Sequence, residues 1–139
     1  MASSTVDAVI PAPREVVYRF FAERDGINPY LPVDFTLKKP GTPTPNGVGA
    51  QYQIGKAGVG FVEETTDLVP GERMEYKIIK GAPVKRHVGI ITFTDADNGT
   101  LVSYTMESEP ILPVPAKVLE FGLRNLINQF IKGAQKALG

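Results

Sequence analysis

Cysteine is absent from this sequence, and histidine occurs once, as His87. Without cysteine there can be no disulfide, no thiolate nucleophile and no cysteine metal site. A single histidine also excludes a histidine-rich zinc site. The carboxylates form no metal motif, and no segment calls for a cofactor. Net charge is missing too. The 15 basic residues balance 15 acidic ones, so no general field draws the chain toward nucleic acid or an anionic surface. No run approaches the roughly 18 apolar residues of a spanning helix. Met1-Ala2-Ser3-Ser4-Thr5 lacks the basic region and apolar stretch of a signal peptide. The expectation is a cytoplasmic protein with no nucleic-acid partner and no integral membrane association. Nothing in the sequence bears on oligomeric state.

What is present reads as one α+β domain over residues 1–139. Hydrophobic residues make up 42% and charged residues 22%, the balance of a chain that buries a core. There is no internal repeat. Val6, Ala8 and Ile10 alternate with Thr5, Asp7 and Val9, a first strand that Pro11 and Pro13 end. Val16, Val17, Phe20 and Phe21 then recur at helical spacing, and Asp25-Gly26 is the expected stop. Ile27-Asn28-Pro29-Tyr30-Leu31-Pro32 allows no more than a turn of helix.

From Val33 to Glu109 the period is two. Phe35 and Leu37, Tyr52 and Ile54, Met74 and Tyr76, and Tyr104 and Met106 each fall on the apolar parity of a strand. Phe61–Val69 is strand-like with a less regular pattern. Pro70-Gly71, Gly81-Ala82-Pro83 and Asp97-Asn98-Gly99 mark turns. Pro110, Pro113 and Pro115 close the sheet. Beyond them Leu119, Leu123, Leu126, Ile127, Phe130, Ile131 and Ala134 line one face of a helix, and Glu120 and Arg124 stand at i,i+4 spacing. About 24 residues give roughly 36 Å of helix, long enough to lie across the whole sheet. An open sheet of six or more strands twists too far to stay flat. It must curl around that helix and leave space between them, filled by side chains or by a ligand.

Three segments resemble the SRPBCC superfamily, which includes START-related lipid-transfer domains, the birch pollen allergen group and the polyketide cyclase/dehydrase family. Val9-Ile10-Pro11-Ala12-Pro13-Arg14-Glu15-Val16-Val17-Tyr18 is similar to the family's opening strand and helix. Val69-Pro70-Gly71-Glu72-Arg73-Met74-Glu75-Tyr76 and Asn98-Gly99-Thr100-Leu101-Val102-Ser103-Tyr104 are similar to two of its hairpins. Similarity is closest to the polyketide cyclase/dehydrase branch. The resemblance implies a helix-grip fold: a curved antiparallel sheet of about six to seven strands around a long C-terminal helix, with two short helices after the first strand. It also implies a cavity for a lipid, polyketide or other apolar compound. One departure is the absence of tryptophan; Tyr30 stands about where relatives often carry one.

Candidate ligand-binding residues follow from parity and resemblance together: Tyr30, Phe35, Tyr52, Met74, Tyr76, His87, Phe93, Tyr104, Met106 and Phe121. Ile91 and Phe93 facing inward would put His87 on the same side, toward one mouth of the cavity. There it is either a general acid or base or a partly exposed strand-end histidine beside Lys85 and Arg86. The tyrosine hydroxyls either orient a ligand or reach backbone carbonyls. Of Glu63 and Glu64 at most one points inward, where it would be a base for enolisation; a solvated strand is the simpler account. Gly55, Gly58 and Gly60 precede no helix and lack the Gly-Lys-Ser/Thr ending of a phosphate loop, and they read as a hairpin or bulge bounding the cavity. Three functions stay open. The first is binding or transport of a small hydrophobic molecule. The second is a cyclase or dehydratase reaction with His87, an inward tyrosine or Glu63/Glu64 as acid or base. The third is a protein-interaction domain, for which Ile111-Leu112-Pro113-Val114 is the one hint.

Overall fold

A computed structural model describes residues 2–31, 33–56 and 59–139. Strand β1 (Ala2–Ile10) leads into helix α1 (Arg14–Ala22) and a 3₁₀ helix (Arg24–Tyr30). Six strands follow: β2 (Asp34–Lys39), β3 (Gln51–Lys56), β4 (Val59–Val69), β5 (Arg73–Lys80), β6 (Val84–Ala96) and β7 (Gly99–Pro110). Helix α2 (Ala116–Leu138) closes the chain. The strands form one seven-stranded antiparallel sheet in the order β1-β7-β6-β5-β4-β3-β2. This is the helix-grip architecture: β2 to β7 run as a meander, and β1 adds to its far edge.

The expected inward parity holds. Phe35, Tyr52, Met74, Tyr76, Ile91, Phe93, Tyr104 and Met106 are all buried. Two boundaries and one burial pattern differ from expectation. Strand β1 begins at Ala2, because Ala2 to Ile10 pair with Ser108 to Thr100 of β7. The buried Ser4 hydroxyl donates to the Glu120 carbonyl at 2.8 Å. Helix α1 ends at Ala22, before Asp25-Gly26, because the backbone tightens into the 3₁₀ turn that carries Arg24 inside. Helix α2 has the expected length, yet its buried residues begin only at Leu123. The part of β1 beside its first turns is Ala2-Ser3-Ser4, whose side chains are too small to cover them. Arg124 forms no ion pair with Glu120 among the described residues.

The sheet curls where side chains are missing. Tyr76 and Gly89 are paired across β5 and β6, and a Cβ on Gly89 would overlap the Tyr76 ring. The ring therefore lies over bare backbone and brings its hydroxyl to that of Tyr104, with which it hydrogen-bonds. Gly89→Ala should displace the ring and cost about 1–3 kcal/mol, the usual range for overpacking a tight site. Urea denaturation should show a lower midpoint with an unchanged slope.

Candidate functional site

A cavity of about 310 Å³ lies between the curved sheet and the C-terminal half of α2. Phe35, Ile54, Phe61, Ile78, Val84 and Met106 form its sheet wall. Leu126, Gln129 and Phe130 form its helix wall, with Leu31 and Val33 at the 3₁₀–β2 junction. Gly55 and Gly60 face each other across the β3–β4 hairpin and line one side. That fits the hairpin expected to bound the cavity; Gly58 lies outside the described residues. Among the described residues four polar side chains touch it: Glu63, Tyr76, His87 and Gln129.

Glu63 is buried and faces inward, which overturns the solvated-strand reading. Its partner is Arg24, also fully buried. Arg24 Nε donates to Glu63 Oε2 and Nη2 to Oε1, both at 2.7 Å. The guanidinium carbon lies 4.5 Å from the Tyr76 ring centre, 4.8 Å from that of Phe35 and 5.1 Å from that of Phe130. Bidentate geometry and three aromatic faces replace the lost water. Burial is the largest single influence and would lower the arginine's pKa, but the charge and hydrogen bonds of Glu63, with Tyr104 and Tyr76, together outweigh it and the pKa rises. This carboxylate is held as a structural anion and is not free to act as a base. Glu64 points away and accepts from Gln51 Nε2 at 3.0 Å.

The tyrosines divide. Tyr76 and Tyr104 are fully buried, and burial raises both phenols, Tyr76 well above 10.0 and Tyr104 to about 12. Only Tyr76 reaches the cavity wall. Tyr52 donates to Asn46 Oδ1 at 2.9 Å in the proline-rich loop, and burial raises its pKa as well. His87 stands on the cavity wall, half-buried. Burial disfavours the imidazolium and lowers its pKa below 6.5, so the ring is neutral at pH 7 and can donate or accept one hydrogen bond.

Of the residues expected to bind a ligand, Phe35, Tyr76, His87 and Met106 converge on the cavity. Tyr52, Met74, Phe93 and Tyr104 are core, one layer behind it. Two expectations are corrected. Tyr30 does not line the cavity: it is 38% exposed with its ring against Phe20 at 6.1 Å, because the 3₁₀ helix turns Arg24 and Ile27 inward instead. Phe121 is exposed, because at 100° per residue it lies on the side of α2 opposite Leu123 and Phe130. Sequence reading missed Arg24, which sits between Glu23 and Asp25 in what looks like a solvated turn. The available signal was Glu63 itself, because an inward carboxylate requires a buried cation. Asn28 was missed as well. Its side-chain amide bonds both backbone groups of Phe35, at 2.6 and 3.0 Å, and so positions that wall residue. Among the described residues no three His, Asp or Glu side chains gather where a cation would be held.

Two outcomes follow from this geometry. Glu63→Gln should lose about 3–5 kcal/mol by stranding a buried guanidinium, whereas the apolar double replacement Arg24→Met/Glu63→Leu should recover most of it. A urea double-mutant cycle measures both. His87 contributes a pH dependence because the unfolded chain binds a proton that the folded chain resists. Stability should be unaffected by His87 above about pH 6.5 and should fall as pH drops from there toward the lowered folded pKa. Denaturation at several pH values should show that part of the slope missing in His87→Gln.

Residues 1–138 match the family described as polyketide cyclase/dehydrase and lipid transport. Solved structures share the fold at low identity. A START superfamily protein from Mycobacterium smegmatis superposes with TM-score 0.78 and 11% identity, covering 99% of this chain and 95% of its own. XoxI from Bacillus cereus gives 0.77 at 19% identity, covering 99% and 96%. Ara h 8.0201 gives 0.75 at 12% identity, covering 98% and 97%. No curated protein sequence matches. A family match across nearly every residue, on a sheet that grips its last helix around a cavity, places the chain: it belongs to the polyketide cyclase/dehydrase and lipid transport family of the SRPBCC superfamily.

Proposed function

We propose that the protein binds a small, predominantly apolar molecule in the cavity between sheet and α2. The observation that carries this reading is the wall. Aliphatic and aromatic side chains form nearly all of it, and its one carboxylate is already paired with Arg24. Such a surface gains by exchanging water for hydrocarbon. At about 310 Å³ the space sits at the small end of ligand pockets, roughly 300–1,000 Å³. It suits a single chain or a few fused rings. His87, Tyr76 and Gln129 offer hydrogen bonds to one polar group on that molecule.

A cyclase or dehydratase reaction is the second reading, and one observation favours it. His87 is neutral, on the wall, and within an apolar enclosure, which is the state a general base requires. Glu63 is unavailable for that role, and the raised phenols of Tyr76 and Tyr104 are poor bases. His87→Ala separates the two: retained binding with lost conversion of a bound candidate assigns an enzyme, and tight binding without conversion in the parent assigns a carrier.

The cavity itself is tested by filling it. Ile78 is a half-buried wall residue, and the chain has no tryptophan. Ile78→Trp therefore blocks the space and adds a lone reporter. Native mass spectrometry of the fresh protein, followed by extraction, should reveal a stoichiometric apolar adduct. Ile78→Trp should lose it, or weaken binding of an anilinonaphthalene probe on the order of tenfold or more, as expected for a displaced apolar contact set.

A further inference from the structure

The outward face of α2 carries large apolar side chains that no described residue covers. Phe121 is 66% exposed and Val118 61% exposed. The loop just before the helix adds Ile111 at 57% and Leu112 at 67%. Scattered single apolar residues are ordinary on a surface, but a concentration in one short stretch marks a contact site. Along the helix, Val118, Gly122 and Leu126 fall at i, i+4 and i+8, one row on the cylinder. A Cβ on Gly122 would meet nothing, so the row is open to solvent. Leu126 is both exposed and part of the cavity wall. The row thus runs from the helix start to the cavity rim.

The charges on this face identify its partner. Helix α2 carries Lys117, Arg124, Lys132 and Lys136, all exposed, against a single acid, Glu120. At 100° per residue the four cations lie within about 60° of Phe121 around the helix. The buried residues Leu123, Ile127 and Phe130 lie on the opposite side. None of the four cations is in an ion pair among the described residues. An otherwise neutral protein therefore presents one face that is both apolar and positive.

We infer that this face docks on an anionic lipid surface, with Val118, Phe121 and the Ile111-Leu112 loop entering the headgroup layer and the lysines and Arg124 reaching phosphates. The pattern is that of an interfacial helix, in which apolar side chains sink while long cations extend to the headgroups. A second copy is a poorer occupant. A two-fold contact would set these cations against their own equivalents. No helix among the described residues is long and apolar enough to cross a bilayer, so α2 meets lipid lying along it. The surface stands on exposure and charge and does not depend on what the cavity holds.

Co-sedimentation with vesicles tests it, using phosphatidylcholine mixed with phosphatidylglycerol against phosphatidylcholine alone. The full chain should pellet with the anionic vesicles at low salt and be released as sodium chloride is raised. Val118→Asp/Phe121→Asp should cut the bound fraction on the order of tenfold or more. Lys117→Glu/Arg124→Glu should abolish the preference for anionic vesicles. All four side chains are exposed, so far-UV circular dichroism and melting should not change. A parent protein that stays in the supernatant at low salt overturns the proposal, as does equal binding by Val118→Asp/Phe121→Asp. So does a dimer in sedimentation velocity that the same double change dissolves, since that result would assign the face to a second copy.

Discussion

Two opposite charges without water, Arg24 and Glu63, hold the interior in register. Each alone would be intolerable in an apolar core, and together they are acceptable only with matched geometry. That geometry draws on much of the fold. The 3₁₀ helix presents the guanidinium, β4 the carboxylate, β2 and β5 the Phe35 and Tyr76 faces, and α2 the Phe130 face. A different docking of any of these elements would leave a charge facing hydrocarbon. The connection between β1 and β2 is therefore more than a crossover, because it carries the cation on which the sheet and the last helix close.

The same pair shapes the cavity. Its carboxylate faces the space with both oxygens occupied by Arg24, so the lining gains a fixed dipole instead of a reactive acid. Around it the chain places residues that withhold volume. Gly55, Gly60 and Ala82 line the rim, and Gly89 lets the Tyr76 ring lie flat on β6. Close packing is the rule in protein interiors. Here it is satisfied behind the wall, among Phe21, Phe93 and Tyr104, and relaxed in front of it.

Helix α2 divides into two parts with different surroundings. From Leu123 onward it is anchored by Ile127, Phe130 and Ile131, each contributing roughly 1.5–3 kcal/mol by burial. Before Leu123 it meets the small side chains of β1, with Leu119 partly buried against the core and Ser4 bonded to the Glu120 carbonyl. Val118 and Phe121 of that first part are exposed and take no part in the packed core.

Periodicity made most of the architecture legible. Alternation of two in Met74-Glu75-Tyr76 or Tyr104-Thr105-Met106 states which face is buried, since a one-residue slip would put every apolar side chain in water. Proline and glycine at the turns state where strands end. Those local rules determined the strands, both helices and the inward set of aromatic residues. They could not say which inward residues meet a neighbour and which meet empty space. Tyr52 and Tyr104 share their parity with Tyr76, yet only Tyr76 reaches the cavity, because curvature sets the depth behind each strand. Nor could they pair Arg24 with Glu63, which are far apart in sequence. Helical period likewise put Leu126 on the gripped face, and only the closed fold leaves it partly exposed at the edge of the cavity. The sequence by itself determined the direction each side chain takes from its own backbone. The tertiary structure alone decided what lies in that direction, because buried charge pairing and sheet curvature are relations between segments that meet only when the chain has closed.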